Sequence, residues 1–132
     1  MPPNPRTGYR AGVSLLDPTP APEDPERLIL EASRTCDRLR SLSLVRLAAL
    51  LPDGRSRARA AFDLAQELAD SSFALAGRPL QRLPDLGDPA AGDVLAVCAQ
   101  DLAEEVAERR GDASAEACRR GVEGLIALRQ SL

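Results

Sequence analysis

The stretch 56–76, SRARAAFDLAQELADSSFALA, decides the fold prediction for this 132-residue chain. Its apolar and small residues recur every three or four positions from Ala58 to Leu75, which is the period of one face of an α-helix. Gly77, two residues before a proline, is typical of a helix C-terminus. The stretch therefore predicts an amphipathic helix that ends just before Gly77.

Three further segments have the same period, and two of them open on an Asp-Pro pair, which is a helix-start signal. The apolar mass is carried by alanine and leucine, and aromatic residues make up only 2% of the chain. Such a composition favours helices over sheet. We therefore predict an all-α fold, a four-helix bundle over residues 24–132. Its predicted helices cover residues 24–51, 56–76, 89–110 and 114–131.

The connections leave the topology of this bundle open. The link 77–88 has 12 residues, and an extended chain of that length spans roughly 40 Å. The link is therefore long enough to return along the bundle and make the second and third helices parallel, while a more compact path makes them antiparallel.

In the fourth helix, Asp112 or Ser114 is the predicted cap, and Gly121 and Gly124 predict close contact with a neighbouring helix.

Residues 1–23 hold six of the eleven prolines, which predicts a tail without regular structure. The tail contains a small apolar group, and we weigh two interpretations of it. It is either part of a disordered leader that touches the domain loosely or a short motif that docks on a partner. The group consists of Tyr9, Val13, Leu15 and Leu16.

Composition and charge exclude several classes of protein. The chain has no histidine, the residue most used for acid–base catalysis near neutral pH, and its net charge is −3. This charge disfavours nucleic acid as a partner. All basic residues are arginine, which indicates a GC-rich bacterial genome. The densest apolar stretch is far too short to span a bilayer, so we predict a cytoplasmic protein with no membrane partner. We also expect no cofactor.

The three cysteines, Cys36, Cys98 and Cys118, lie on the apolar faces of the predicted helices. They form no CxxC pair, and an odd number suits no closed set of disulfides. We therefore expect reduced thiols packed in the core.

Acidic residues crowd the second and third predicted helices and support an alternative function. Glu67 with Asp70 and Glu105 with Glu108 resemble the ExxD and ExxE elements of all-helical nucleotide pyrophosphatases, although their order along the chain is reversed. The resemblance implies a small metal-dependent hydrolase. Its metal ligands would come from Asp63, Glu67, Asp70, Asp101, Glu105 and Glu108.

A partner-binding surface is predicted in the second half of the first helix. Eight of the ten residues from 42 to 51 are Leu, Val or Ala, more than one buried helix face needs. Residues 27–59 also carry a net charge of +5, against −8 for residues 60–108. We predict a non-enzymatic protein that acts through protein contacts, as a homodimer, a small subunit or a regulator. The predicted contact residues are Leu44, Val45, Leu47 and Leu51, with Arg46, Arg55, Arg57 and Arg59 as a polar rim.

The segment 92–102, GDVLAVCAQDL, resembles a stretch of small all-helical actinobacterial proteins of uncharacterised function. The resemblance covers little more than the third predicted helix. It implies an all-helical fold and an actinobacterial source, and it carries over no catalytic residue.

Overall fold

The computed structural model describes residues 18–132, and within this range the chain is all-α, with five α-helices and no β-strand. A single turn of 3₁₀-helix, Asp88–Ala90, precedes the fourth helix. Residues 18–23 contain no helix or strand, and the apolar tail residues 9–16 lie outside the described range. The helices are α1 Pro25–Arg40, α2 Leu44–Ala48, α3 Arg57–Ala76, α4 Ala91–Glu108 and α5 Asp112–Ser131.

The predicted first helix, 24–51, is broken after α1, so that prediction was wrong in its second half. The Ser41 hydroxyl donates to the carbonyl oxygen of Arg38 at 2.7 Å, so this carbonyl in the last turn of α1 has a hydrogen-bond partner. Two residues later the Ser43 hydroxyl accepts from the Arg46 amide at 3.2 Å and begins α2. Serine side chains that bond to nearby backbone compete with the helical hydrogen bonds. The apolar segment after the break therefore has an orientation of its own.

Both ends of α3 follow local rules, whereas the start of α5 does not. Ser56 caps α3, and Gly77 ends it with a positive φ of 68°, as predicted. The start of α5 differs from the prediction, because neither Asp112 nor Ser114 is its cap. Gly111 occupies the cap position with a φ of 152°, and the Ser114 hydroxyl donates to the Arg109 carbonyl instead.

The four long helices surround one core, in which α1 and α3 each pack on both α4 and α5. Two glycines of α5 lie close to neighbouring helices. A Cβ atom on Gly121 would lie 3.0 Å from Leu28 Cδ1 and 3.1 Å from Leu68 Cδ2. A Cβ atom on Gly124 would lie 2.7 Å from Leu64 Cδ1. The close contacts expected at these glycines are therefore confirmed.

Contacts along the core give the direction of each helix. Gly92, near the start of α4, faces Cys36 near the end of α1, and Pro25 at the start of α1 lines a groove with Ala107 near the end of α4, so these two helices are antiparallel. The Thr35 hydroxyl donates to the Leu125 carbonyl, and Leu28 meets Gly121, so α1 and α5 are parallel.

Since Leu68 and Leu64 of α3 meet Gly121 and Gly124 in reverse order, α3 is antiparallel to α5 and therefore parallel to α4. The connecting link returns along α3. The Gln66 side chain holds it by donating to the Gln81 carbonyl and accepting from the Leu83 amide, both at 2.9 Å. The topology that the sequence left open is thus the parallel one.

A buried ion-pair network joins α1 to α5. Glu31 is fully buried and accepts from Arg27 Nε at 2.7 Å and from Arg129 Nη2 at 2.8 Å. Arg129 also donates to the Thr35 hydroxyl at 3.0 Å. Burial raises the pKa of Glu31, but the hydrogen bonds from Arg27 and Arg129 outweigh it, and the net pKa lies below the usual value.

None of the helices in the range 18–132 combines the length and the apolarity needed to cross a membrane.

Candidate functional site

Three large aliphatic side chains are exposed on and just after α2. The exposed fractions are 61% for Leu44, 79% for Val45 and 67% for Leu50. Scattered exposed apolar residues are common, but three large ones within seven consecutive residues indicate a contact site. We call the surface formed by Leu44, Val45 and Leu50 the α2 surface.

The α2 surface is held rigidly by the chain behind it. Leu47 and Leu51 are buried in the core and anchor the segment from within. An isolated β-bridge joins Leu50 to Ser56, and the Leu51 amide donates to the Arg55 carbonyl at 2.7 Å. Because its backbone is fixed at both ends of the exposed stretch, the surface loses little conformational freedom when a partner binds.

The structure divides the four predicted apolar contact residues into two pairs. Leu44 and Val45 are exposed, whereas Leu47 and Leu51 are buried and have no surface to offer a partner. The prediction of one continuous helix spread these four residues well beyond one helix face, without deciding which of them are exposed. Leu50, which it omitted, is exposed because the chain leaves helical geometry at Ala49, the C-cap of α2.

The predicted arginine rim is also divided. Arg55 Nη2 lies 2.8 Å from Asp53 Oδ2, and this hydrogen bond lowers the pKa of the Asp53 carboxyl. Arg55 and Arg59 both pair with Asp63, at 3.0 and 3.1 Å. Their charges are therefore compensated within the chain. Of the other two arginines of the predicted rim, Arg46 donates to an oxygen of Leu132, the last residue, at 3.3 Å, and Arg57 donates to the Ala49 carbonyl at 3.2 Å.

The acids of the hydrolase alternative do not form a metal site. Asp63 is held by two arginines, Asp70 accepts from the Gln66 amide at 2.9 Å, and Glu105 pairs with Arg109 at 2.8 Å. Within residues 18–132, no three His, Cys, Asp or Glu side chains are close enough to hold a metal ion. The remaining acids of that set, Glu67, Asp101 and Glu108, therefore act as separate surface groups.

Asp101 illustrates the crowding of acids on α4. Partial burial and the negative charge of Glu104 raise the pKa of the Asp101 carboxyl, and Arg78 offsets this only in part. Burial is the larger cause of this raised pKa, and repulsion from neighbouring acids adds to it.

The three cysteines are buried as expected from their positions on apolar faces. Burial raises the pKa of each thiol to about 11. Since the thiolate is the reactive form, these groups are poor nucleophiles at neutral pH.

Several open grooves are lined by α3, and two of them have volumes of about 400 Å³ or more. One, of about 440 Å³, lies between α3 and the returning link and is lined by Phe62, Gln66 and Arg82. The other, of about 400 Å³, lies between α3 and α5 beside Leu64 and Gly124. Ligand sites usually combine a deep apolar cavity with converging polar groups, and both of these grooves are shallow and open to solvent. The α2 surface is the stronger candidate.

No family model, curated protein or solved structure matches this chain.

Proposed function

We propose that this chain is a cytosolic, non-enzymatic four-helix bundle of bacterial origin that acts through protein–protein contacts, and that the α2 surface is the contact. Support for the bundle comes from the packing of α1, α3, α4 and α5 around one core. Three free, buried thiols favour a reducing compartment, and the absence of lysine among seventeen basic residues favours a GC-rich bacterial genome.

The exposure of Leu44, Val45 and Leu50 on an anchored segment carries the proposal. Burying a leucine or valine completely stabilises by about 1.5 to 3 kcal/mol, and each of these side chains is roughly two-thirds exposed. Covering all three therefore contributes about 3 to 6 kcal/mol before the costs of association. This gain is large enough to favour a partner and is unused by the isolated chain.

Substitution of Val45 by glutamate tests the proposal. Val45 is the most exposed of the three residues, so Val45→Glu should leave the fold intact while it disrupts a contact. The matched control is Leu80→Glu, because Leu80 is 62% exposed and follows the opposite end of α3.

Light scattering over a range of concentrations detects a second copy, and a photo-crosslinking residue at position 45 or 80 detects another protein in cells that make this chain. We expect self-association that Val45→Glu abolishes, or an adduct of one discrete mass that forms from position 45 and not from position 80. A monomer at every concentration together with equal labelling from positions 45 and 80 would contradict the proposal.

A further inference from the structure

A groove of about 330 Å³ lies between the start of α1 and the end of α4, and we call it the α1–α4 groove. Its apolar lining consists of Pro25 and Ile29 of α1 and Ala103 and Ala107 of α4. Ile29 is 37% exposed, and Ala107 is also exposed. Exposed apolar side chains that line one groove indicate a place where other apolar side chains bind.

The rim of the α1–α4 groove is acidic. Asp24, Glu26 and Glu104 line it together with Arg110, so three acids and one arginine give the lining a net charge of −2. The Glu104 carboxylate accepts from the Gln100 side chain at 3.1 Å, and within residues 18–132 neither Glu26 nor Glu104 forms an ion pair with an arginine. A segment that combines aliphatic side chains with positive charge complements this lining.

Residues 1–17, which lie outside the described range, have this combination. Two arginines and one aspartate give their side chains a net charge of +1. Three aliphatic residues, Val13, Leu15 and Leu16, lie within the last five positions before Pro18. The aliphatic residues of this segment are therefore the ones closest in the chain to α1.

The distance from the described chain to the groove is short enough for these residues. Arg27 Nη1 donates to the Pro20 carbonyl at 3.1 Å and holds the chain beside the first turn of α1. Arg27 also pairs with Glu31, which contacts α5, so the preceding residues must cross the start of α1 to enter the groove. Leu16 lies four residues before Pro20, which allows a reach of about 13 Å, and a helix with its side chains is about 10 to 12 Å wide. Leu16 can therefore reach the groove of its own chain.

The same distances exclude the α2 surface as the binding site of Leu15 and Leu16 within one chain. Helix α1 has 16 residues and is about 24 Å long, and α2 begins only after its end. Leu15 reaches about 17 Å from Pro20. Because a short linker raises the effective concentration of a tethered segment to the order of millimolar, the α1–α4 groove favours the segment of its own chain over that of a second copy.

We propose that residues 13–16 pack into the α1–α4 groove of their own chain. Their aliphatic side chains cover Ile29 and Ala107, and Arg10 pairs with the acidic rim. This inference concerns a different surface from the α2 surface and does not depend on the proposed function.

A photo-crosslinking residue in place of Leu16 tests the proposal in the full chain at micromolar concentration. We expect adducts within a single chain, and peptide mass spectrometry should locate them in residues 25–29 or 100–107. These two ranges contain the α1 and α4 residues that line the groove beyond the cap of α1.

Three variants separate the groove from the rest of the surface. Ala107→Arg fills the groove from an exposed position, and Glu104→Arg reverses a charge on its rim, so each should cause loss of most of these adducts. Glu67→Arg makes the same change of charge at an exposed residue of α3, beside the groove between α3 and α5, and should leave the adducts unchanged. Circular dichroism of each variant establishes that it is folded.

Four results would overturn the proposal. Adducts spread over all helices, or concentrated on α3 and α5, would show that the segment does not bind the α1–α4 groove. Adducts that persist in Ala107→Arg would show the same. Equal effects of Glu104→Arg and Glu67→Arg would remove the acidic rim from the contact. Adducts between two chains, with a yield that rises with concentration, would make a second copy the source of the segment.

Discussion

Replacing Glu31 by glutamine should destabilise the fold, because it removes the only carboxylate in the buried network between α1 and α5 while preserving the size of the side chain. Glu31 accepts from Arg27 at 2.7 Å and from Arg129 at 2.8 Å. A glutamine at this position retains one acceptor oxygen, but its NH₂ group faces a guanidinium that is also a donor. One of the two arginines therefore loses its partner.

The expected loss follows from the two hydrogen bonds. A hydrogen bond to a charged group contributes about 1.5 to 3 kcal/mol and a neutral one about 0.5 to 1.5, so weakening both costs about 2 kcal/mol. The unmatched donor adds to this, but Arg27 and Arg129 are 19% and 26% exposed and keep some hydration. The total should stay below the 3 to 5 kcal/mol typical of a fully buried pair. We expect about 2 to 3 kcal/mol, or a fall in Tm of about 8 to 12 °C.

The loss should depend on pH in a defined direction. Because the folded-state pKa of Glu31 is lowered, its contribution to stability is complete above the carboxyl pKa of the unfolded chain, about 4.3. The contribution disappears as the pH falls through the lower folded-state pKa. Glutamine does not titrate, so the difference in stability between wild type and Glu31→Gln should narrow as the pH falls below about 4.3.

Urea unfolding followed by circular dichroism, at neutral and at acidic pH, measures both effects. Glu116→Gln is the control, since Glu116 pairs with Arg119 on the exposed side of α5 and such pairs contribute about 0 to 1 kcal/mol. If Glu31→Gln lowers the free energy of unfolding by no more than this control does, or lowers it equally at both pH values, the network does not stabilise the fold in the way described.

Two further predictions concern the core. Gly121→Ala should destabilise by about 1 kcal/mol, because the added methyl group meets the buried Leu28 and Leu68 side chains and overpacking outweighs the gain in helix propensity. Gly124→Ala should be neutral or stabilising by up to about 1 kcal/mol, because the added methyl group meets only the end of the Leu64 side chain beside an open groove. Thermal unfolding that ranks the stabilities of the two variants in the opposite order would contradict this packing. The three cysteines should react with a thiol reagent slowly in native buffer and rapidly in denaturant, because each thiol is buried and its pKa is raised to about 11. A cysteine that reacts in native buffer as fast as in denaturant would show that its helix opens locally.

Periodicity predicted most of the helical fold, because a repeat of three to four residues is a local property. The interval from Ser56 to Gly77 shows this, since its cap, its buried face and its end all follow from neighbouring residues. The same periodicity placed the three cysteines on apolar helix faces and so predicted that their thiols are buried. By contrast, the length of the link at 77–88 allowed both topologies, and the contacts of Gln66 with that link accompany the parallel one.

The candidate site was predicted only in outline. An excess of apolar residues between 42 and 51 indicated a partner-binding surface, because the count exceeded what one helix face buries. Which of these residues face solvent depends on the break at Ser41 to Ser43. There the hydroxyl hydrogen bonds and the long-range burial of Leu47 outweigh local helix propensity.

The sequence by itself therefore determined that four long helical segments form and which of their faces are apolar. Only the tertiary structure decided that Leu47 turns inward while Leu44 and Val45 remain exposed, and that Glu31 is buried between two arginines. The physical reason is that burial and charge pairing depend on residues distant in the chain. Arg129 lies 98 positions from Glu31, and no local pattern specifies that contact.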